Sequence, residues 1–111
     1  MRFAFDQSER DKVARDVAIS RAIAGYRSRL AIQADEVATL GDRASEKGAL
    51  EELARWGHRL HGTAGSFGIS SVATAAEQLS IVLQAQGTAQ EIKDHVERLA
   101  SCMRNALSTE Q

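Results

Sequence analysis

The run His58-Arg59-Leu60-His61-Gly62-Thr63-Ala64-Gly65-Ser66-Phe67-Gly68 decides how this chain is read, because it sets a histidine beside glycines inside a segment of helical periodicity. Across residues 49 to 67, Leu50, Leu53, Leu60, Ala64 and Phe67 recur at three- and four-residue steps, the spacing of one face of an α-helix. His58 is off that face. At about 100° per residue it points roughly 130° from the centre of the stripe, and Ala54, Gly62 and Gly65 share its side. A glycine in a helix interior costs about 1 kcal/mol relative to alanine. Two of them beside an outward histidine predict that something large comes close, and a partner's active site is the expected visitor.

Working outward, the first forty residues carry Val13, Val17, Ile19, Ile23, Tyr26, Leu30, Val37 and Leu40, and from Ile19 onward the spacing is heptad-like, as suits a helix packed along a bundle. Gly25 either divides a short N-terminal helix from a longer one or lies within a continuous helix. Phe3 and Phe5 make the first segment amphipathic, an extra cover for the bundle or a dimer contact. Gly41-Asp42 breaks the pattern, and Asp42 or Ser45 is placed to cap the histidine helix, expected over about residues 45–66. Ser70 or Ser71 is placed to cap a third helix with the stripe Val72, Ala76, Leu79 and Leu83, ending near Gly87. Thr88 and Glu91 have the spacing of a capping box, and Ile92, Val96, Leu99, Met103 and Leu107 continue at helical period. The short connections predict an all-α, antiparallel up-down four-helix bundle with room for an extra short N-terminal helix.

Composition agrees. The 111 residues contain no proline, 5% aromatic, 43% hydrophobic and 26% charged residues, which suits a single helical domain spanning residues 1–111 with its own core. Fourteen basic residues against fifteen acidic ones give a net charge of −1 without a block of one sign, so nucleic-acid binding has no electrostatic footprint. No apolar stretch is long enough to span a membrane and the N-terminus lacks the apolar core of a signal peptide, so no membrane association and a cytoplasmic location are expected. The one cysteine, Cys102, reads as a boundary residue of the last helix and excludes an internal disulfide or a multi-cysteine zinc site.

The chemistry open to these residues is narrow. No triad-like arrangement, phosphate loop or dinucleotide fingerprint is present, so catalysis without a partner is not expected. His58 and His61 would hold a metal ion only with further ligands, for which Glu51 and His95 are candidates; no metal site is expected. His61 lies about 70° from the stripe centre, where a packed boundary ring is as natural as a functional one. For His58 the ordinary reading is a solvated histidine, which the glycines disfavour. Imidazole is nucleophilic when neutral and ionises near physiological pH, so an exposed histidine suits transient phosphate carriage when a partner supplies the metal and the acidic pocket.

Residues His58, Leu60, Gly62, Ala64 and Gly68 resemble the motif H-x-L-K-G-x-A-x-x-x-G of the histidine-containing phosphotransfer (HPt) domains of two-component phosphorelays, and the stretch from Gly62 to Gly68 is similar to the phosphoacceptor domain of chemotaxis kinases. The resemblance covers about eleven residues in detail and, more loosely, the length and helix count. It implies a four-helix bundle with the phosphoaccepting histidine exposed midway along the second helix. By match to the motif, His58 would carry phosphate on Nε2, Gly62 would permit close approach, and Leu60 and Ala64 would pack. The implied partners are receiver domains of response regulators or hybrid histidine kinases, with Mg²⁺ in the receiver and no cofactor on this chain.

Where the family usually has lysine three residues after the histidine, this chain has His61, which implies a phosphoryl environment with stronger pH dependence near neutrality. The same substitution leaves His61 itself as an alternative acceptor. Ala54, Arg55, Arg59 and Gly65 form the expected partner surface, although solvated charge is the ordinary reading of the arginines, and Trp56 reads as packing. The competing function is a non-covalent helical adaptor that binds a receiver or kinase without taking phosphate.

Overall fold

The structure is a computed structural model that describes residues 7–107. Four helices follow in order: α1 (Gln7–Asp42), α2 (Lys47–Ser66), α3 (Ser70–Gln84) and α4 (Ala89–Asn105), with no strand among the described residues. The helices pack in order around a ring, α1 on α2, α2 on α3, α3 on α4 and α4 back on α1, while no Cα of a helix comes within 8 Å of one on the helix opposite. The core is built of apolar and aromatic side chains, with Leu30, Val37, Leu53, Leu60, Ile69, Val72, Leu79, Val96, Leu99 and Met103 fully buried and the Tyr26 hydroxyl a buried polar atom among them. The expected bundle is therefore present. Antiparallel packing of α1 and α4 is marked by contacts at both ends: Asp42 lies 3.7 Å from Lys93, and the Arg27 guanidinium donates to the Ala106 carbonyl at 2.9 Å.

The first helix decides the alternative left open at Gly25 and departs from expectation along its first half. α1 runs unbroken through Gly25, where an added Cβ would meet only the tip of the Arg29 side chain at 3.6 Å; nothing forces a break there. Its first half is not packed along the bundle. Val13, Val17 and Ile19 are 52%, 44% and 57% exposed, and the first buried residue is Tyr26. The molecule is accordingly elongated, 69 × 21 × 21 Å. Phe3 and Phe5 lie outside the described residues. Leu107, expected to extend the last apolar stripe, follows the end of α4 and is 57% exposed.

Helix ends show which caps formed. Neither Asp42 nor Ser45 caps α2: Asp42 closes α1, and the N-cap is Glu46, whose carboxylate is held by the Arg43 guanidinium at 3.0–3.3 Å instead of by the helix amides. The other end of α2 is a Schellman motif, with Gly68 in the left-handed region (φ 76°), Gly68 N–H donating to Gly65 O and Ile69 N–H to Ala64 O. Ile69, buried in the core, is at once the last residue of that motif and the N-cap of α3, so Ser70 and Ser71 fall inside the first turn of α3 and cap nothing. A second turn of this kind ends α3, where Gln86 takes the left-handed conformation (φ 56°) and Gly87 N–H donates to Val82 O. The Thr88–Glu91 capping box expected for α4 is complete, with both reciprocal hydrogen bonds formed.

Candidate functional site

Helix α2 sorts its residues by angle. Leu53, Trp56, Gly57, Leu60 and Ala64 turn inward and are buried, while Ala54, His58, His61, Gly62 and Gly65 are exposed. Outward placement of His58 follows from the apolar periodicity that drives the opposite face into the core. Leu50 and Phe67, expected in that stripe, are only partly buried and pack on its edge.

His58 stands over an open groove between α2 and α3, lined by Leu50, Glu51, Ala54 and His58 on one side and Ser80, Leu83 and Gln84 on the other. At its floor the two helices come close. A Cβ built on buried Gly57 would lie 2.6 Å from Ser80 Oγ and 3.3 Å from the Ala76 carbonyl, so a larger residue here needs the serine to rotate and the facing backbone to give way slightly. Gly57, Ser80 and Gln84 were not singled out in the sequence. Gly57 immediately precedes His58, and its place on the buried side was the available signal; Ser80 and Gln84 could be assigned only once α3 had been docked.

The two glycines that were singled out behave differently. A Cβ on Gly62 would meet nothing within 4 Å, and one on Gly65 only the Ala73 methyl at 3.9 Å, an ordinary contact. Packing within the described chain gives no reason for glycine at either position. Both sit on the exposed side of α2 close to His58 in sequence, and both leave the surface low there.

His61 is held from the neighbouring helix. Its Nδ1 lies 3.3 Å from the Ala73 carbonyl of α3, and since a carbonyl only accepts, this hydrogen bond requires the proton on Nδ1. His58 has no such tie. The metal alternative is not assembled, because among the described residues no three His, Cys, Asp or Glu side chains come together to hold an ion; His95 faces a separate hollow with Gln78, Ile81, Val82 and Ala85.

Of the expected partner surface, Ala54 shares the groove with His58. Arg59 does not. Its guanidinium lies over the Trp56 ring at 4.7 Å, in a cleft with Tyr26, Arg29 and Gln33 on the α1 side of α2. Arg55 is exposed and pairs with Glu52 at 3.4 Å. In the same α1–α2 cleft Tyr26 stacks on Phe67 with centroids 4.6 Å apart, and burial raises the Tyr26 hydroxyl above its ordinary pKa, with Arg29 acting in the other direction. Trp56, 5% exposed, is packing, as expected.

A family model described as the Hpt domain matches residues 25–109. No curated protein and no solved structure matches the chain. No helix among the described residues is long and apolar enough to cross a membrane.

Proposed function

Because the chain belongs to the Hpt domain family, whose members carry out histidine phosphotransfer in phosphorelays, we propose that His58 is its phosphoacceptor and that it exchanges the group with the receiver domain of a response regulator or hybrid histidine kinase. The observation that carries this reading is the surface around His58: an exposed imidazole beside an open α2–α3 groove, with Gly62 and Gly65 on the same exposed side and neither required by internal packing. Each glycine costs the isolated helix about 1 kcal/mol relative to alanine, and clearance for a docked active site is what that cost obtains.

Neutral His58 attacks the phosphorus of a receiver's aspartyl phosphate through the Nε2 lone pair. The P–N bond forms as the P–O bond to the carboxylate breaks, the aspartate leaves as its anion, and the proton on Nδ1 remains on the ring. The reverse transfer retraces these steps. Positioning and charge neutralisation dominate such reactions, so the chain itself supplies an exposed nucleophile and a docking face. Mg²⁺ and the acidic pocket belong to the receiver. Ala54 and Gly65 form the near contact surface in this reading, with Arg55 and Arg59 at its edge.

Incubation of the chain with a phosphorylated receiver domain tests the assignment. Acid-labile, alkali-stable phosphate is expected on the wild type and at least tenfold less on His58→Gln. A wild type that binds the receiver and takes no label would identify a non-covalent adaptor, and equal labelling of His58→Gln would move the acceptor elsewhere.

A further inference from the structure

The half of α1 that precedes Tyr26 stands clear of the bundle, and none of its described residues is buried. Residues 7–25 make about 28 Å of helix at about 1.5 Å per residue. A solitary helix of this length holds only weakly in water, and a covered face stabilises it. This half carries two apolar faces. Ile19 and Ile23 continue the stripe that sends Tyr26, Leu30 and Ala34 into the core. Val13 and Val17 lie instead with Ser20 and Ala24 on a second, exposed face, turned roughly 115° from the first at about 100° per residue.

Along the second face runs a shallow hollow lined by Val13, Asp16, Val17, Ser20, Arg21 and Ala24. In heptad terms Val17 and Ala24 are a positions, Val13 and Ser20 are d, Asp16 is g and Arg21 is e. These six make up two consecutive coiled-coil holes of four residues each: 13, 16, 17 and 20 surround an a knob from a facing helix, and 17, 20, 21 and 24 surround a d knob. The flanking charges identify the helix that fits. In a parallel pair of identical chains, g of one heptad faces e of the next on the other chain, so Asp16 meets the second copy's Arg21, and symmetry makes the contact twice. Neither side chain is engaged in an ion pair within the described residues. An antiparallel pair sets g against g and e against e, which brings no acid opposite a base here.

We propose that this face pairs with the same face of a second copy, as a short parallel two-stranded coiled coil over residues 13–24. A β-branched residue at the a position, Val17, favours two strands. The seam has defined ends. Arg10 puts a charge at the preceding a position, and Arg27, at the next d position, is turned to the Ala106 carbonyl behind α4, so the two chains part where the bundle begins. So short a seam makes a weak, concentration-dependent pair. No residue of α1 lines the groove beside His58, which stays open on both copies; the pairing does not depend on His58 being the phosphoacceptor.

Sedimentation equilibrium of the full chain tests this between about 1 μM and about 1 mM, a span that covers weak complexes. The average mass should rise from 12.0 kDa toward twice that value with concentration. Val17→Asp should stay at the monomer mass throughout, while Ile19→Asp, on the same segment but off the seam, should associate as the wild type does. Reversing one charge, by Asp16→Arg or Arg21→Asp, sets like charges together in both symmetric contacts and should weaken association about three- to tenfold. The two reversals in one chain should restore it. A wild type that remains monomeric over the whole range overturns the proposal, as does association that survives Val17→Asp or is lost equally in Ile19→Asp. Charge reversals without effect, or a double reversal that fails to recover, overturn the parallel pairing.

Discussion

Gly57 lies against α3 immediately beside the proposed acceptor. It has no special backbone angle, and its requirement is purely steric, set by Ser80 Oγ and the Ala76 carbonyl on the facing helix. Serine can rotate away, but the carbonyl belongs to the backbone, so Gly57→Ala requires α3 to give way by a few tenths of an ångström. Overpacking of this kind costs about 1–3 kcal/mol, offset by about 1 kcal/mol of helix propensity gained by alanine, so urea unfolding should show a net loss of up to about 2 kcal/mol. Gly62→Ala, placed in open space, should instead raise stability by up to about 1 kcal/mol. A destabilised Gly62→Ala would mean that the glycine serves the fold, and the clearance argument would lose its basis. Sequence periodicity singled out Gly62 and Gly65 because they interrupt an exposed helical face, but it passed over Gly57, since a glycine on the buried side looks like any small core residue until the opposing helix is in place.

At the scale of the helix, ends were less legible than faces. The apolar stripes placed α2, α3 and α4 to within a few residues because burial of one face is a repeated, additive signal. Capping depends on one side chain at a time, and each candidate had a competitor. Glu46 is taken by Arg43, and Ile69 is shared by two helices. Thr88 and Glu91 succeeded because each satisfies the other's backbone N–H. The hydrogen bond from the Thr88 backbone, then that involving its hydroxyl, holds the Glu91 carboxyl below its ordinary value of 4.5. A depressed carboxyl contributes stability that is present above the unfolded-state value and disappears as pH falls through the folded one. Thr88→Ala should therefore cost about 1 kcal/mol at neutral pH. The stability advantage of wild type over Glu91→Gln should shrink between about pH 5 and pH 3. An advantage that stays constant on acidification would show that the carboxylate is not what secures the cap.

For the whole molecule, the informative boundary lies near residue 25. The family match starts there, and the first buried residue, Tyr26, follows at once, while the part of α1 before it leaves Val13, Val17 and Ile19 about half exposed. Heptad-like spacing marked Ile19 and Ile23 as continuing the bundle's stripe, which is true of the helix but not of its neighbours, because α2 and α4 have ended by that height. Periodicity reports which face is apolar and not whether anything covers it. Removal of residues 1–24 should leave the core intact, with Tm changed by less than the 4–8 °C that about 1 kcal/mol represents in a domain of this size. Loss of cooperative unfolding in the shortened chain would show that the projecting helix is part of the folding unit.

The ring order of the bundle has one more consequence. Since no Cα of α2 comes within 8 Å of one on α4, a push on the histidine helix reaches α4 only through core side chains or through α1 and α3. The architecture suits a fixture that presents one imidazole at constant height to successive visitors, because the core shared by all four helices resists the displacement of any one of them.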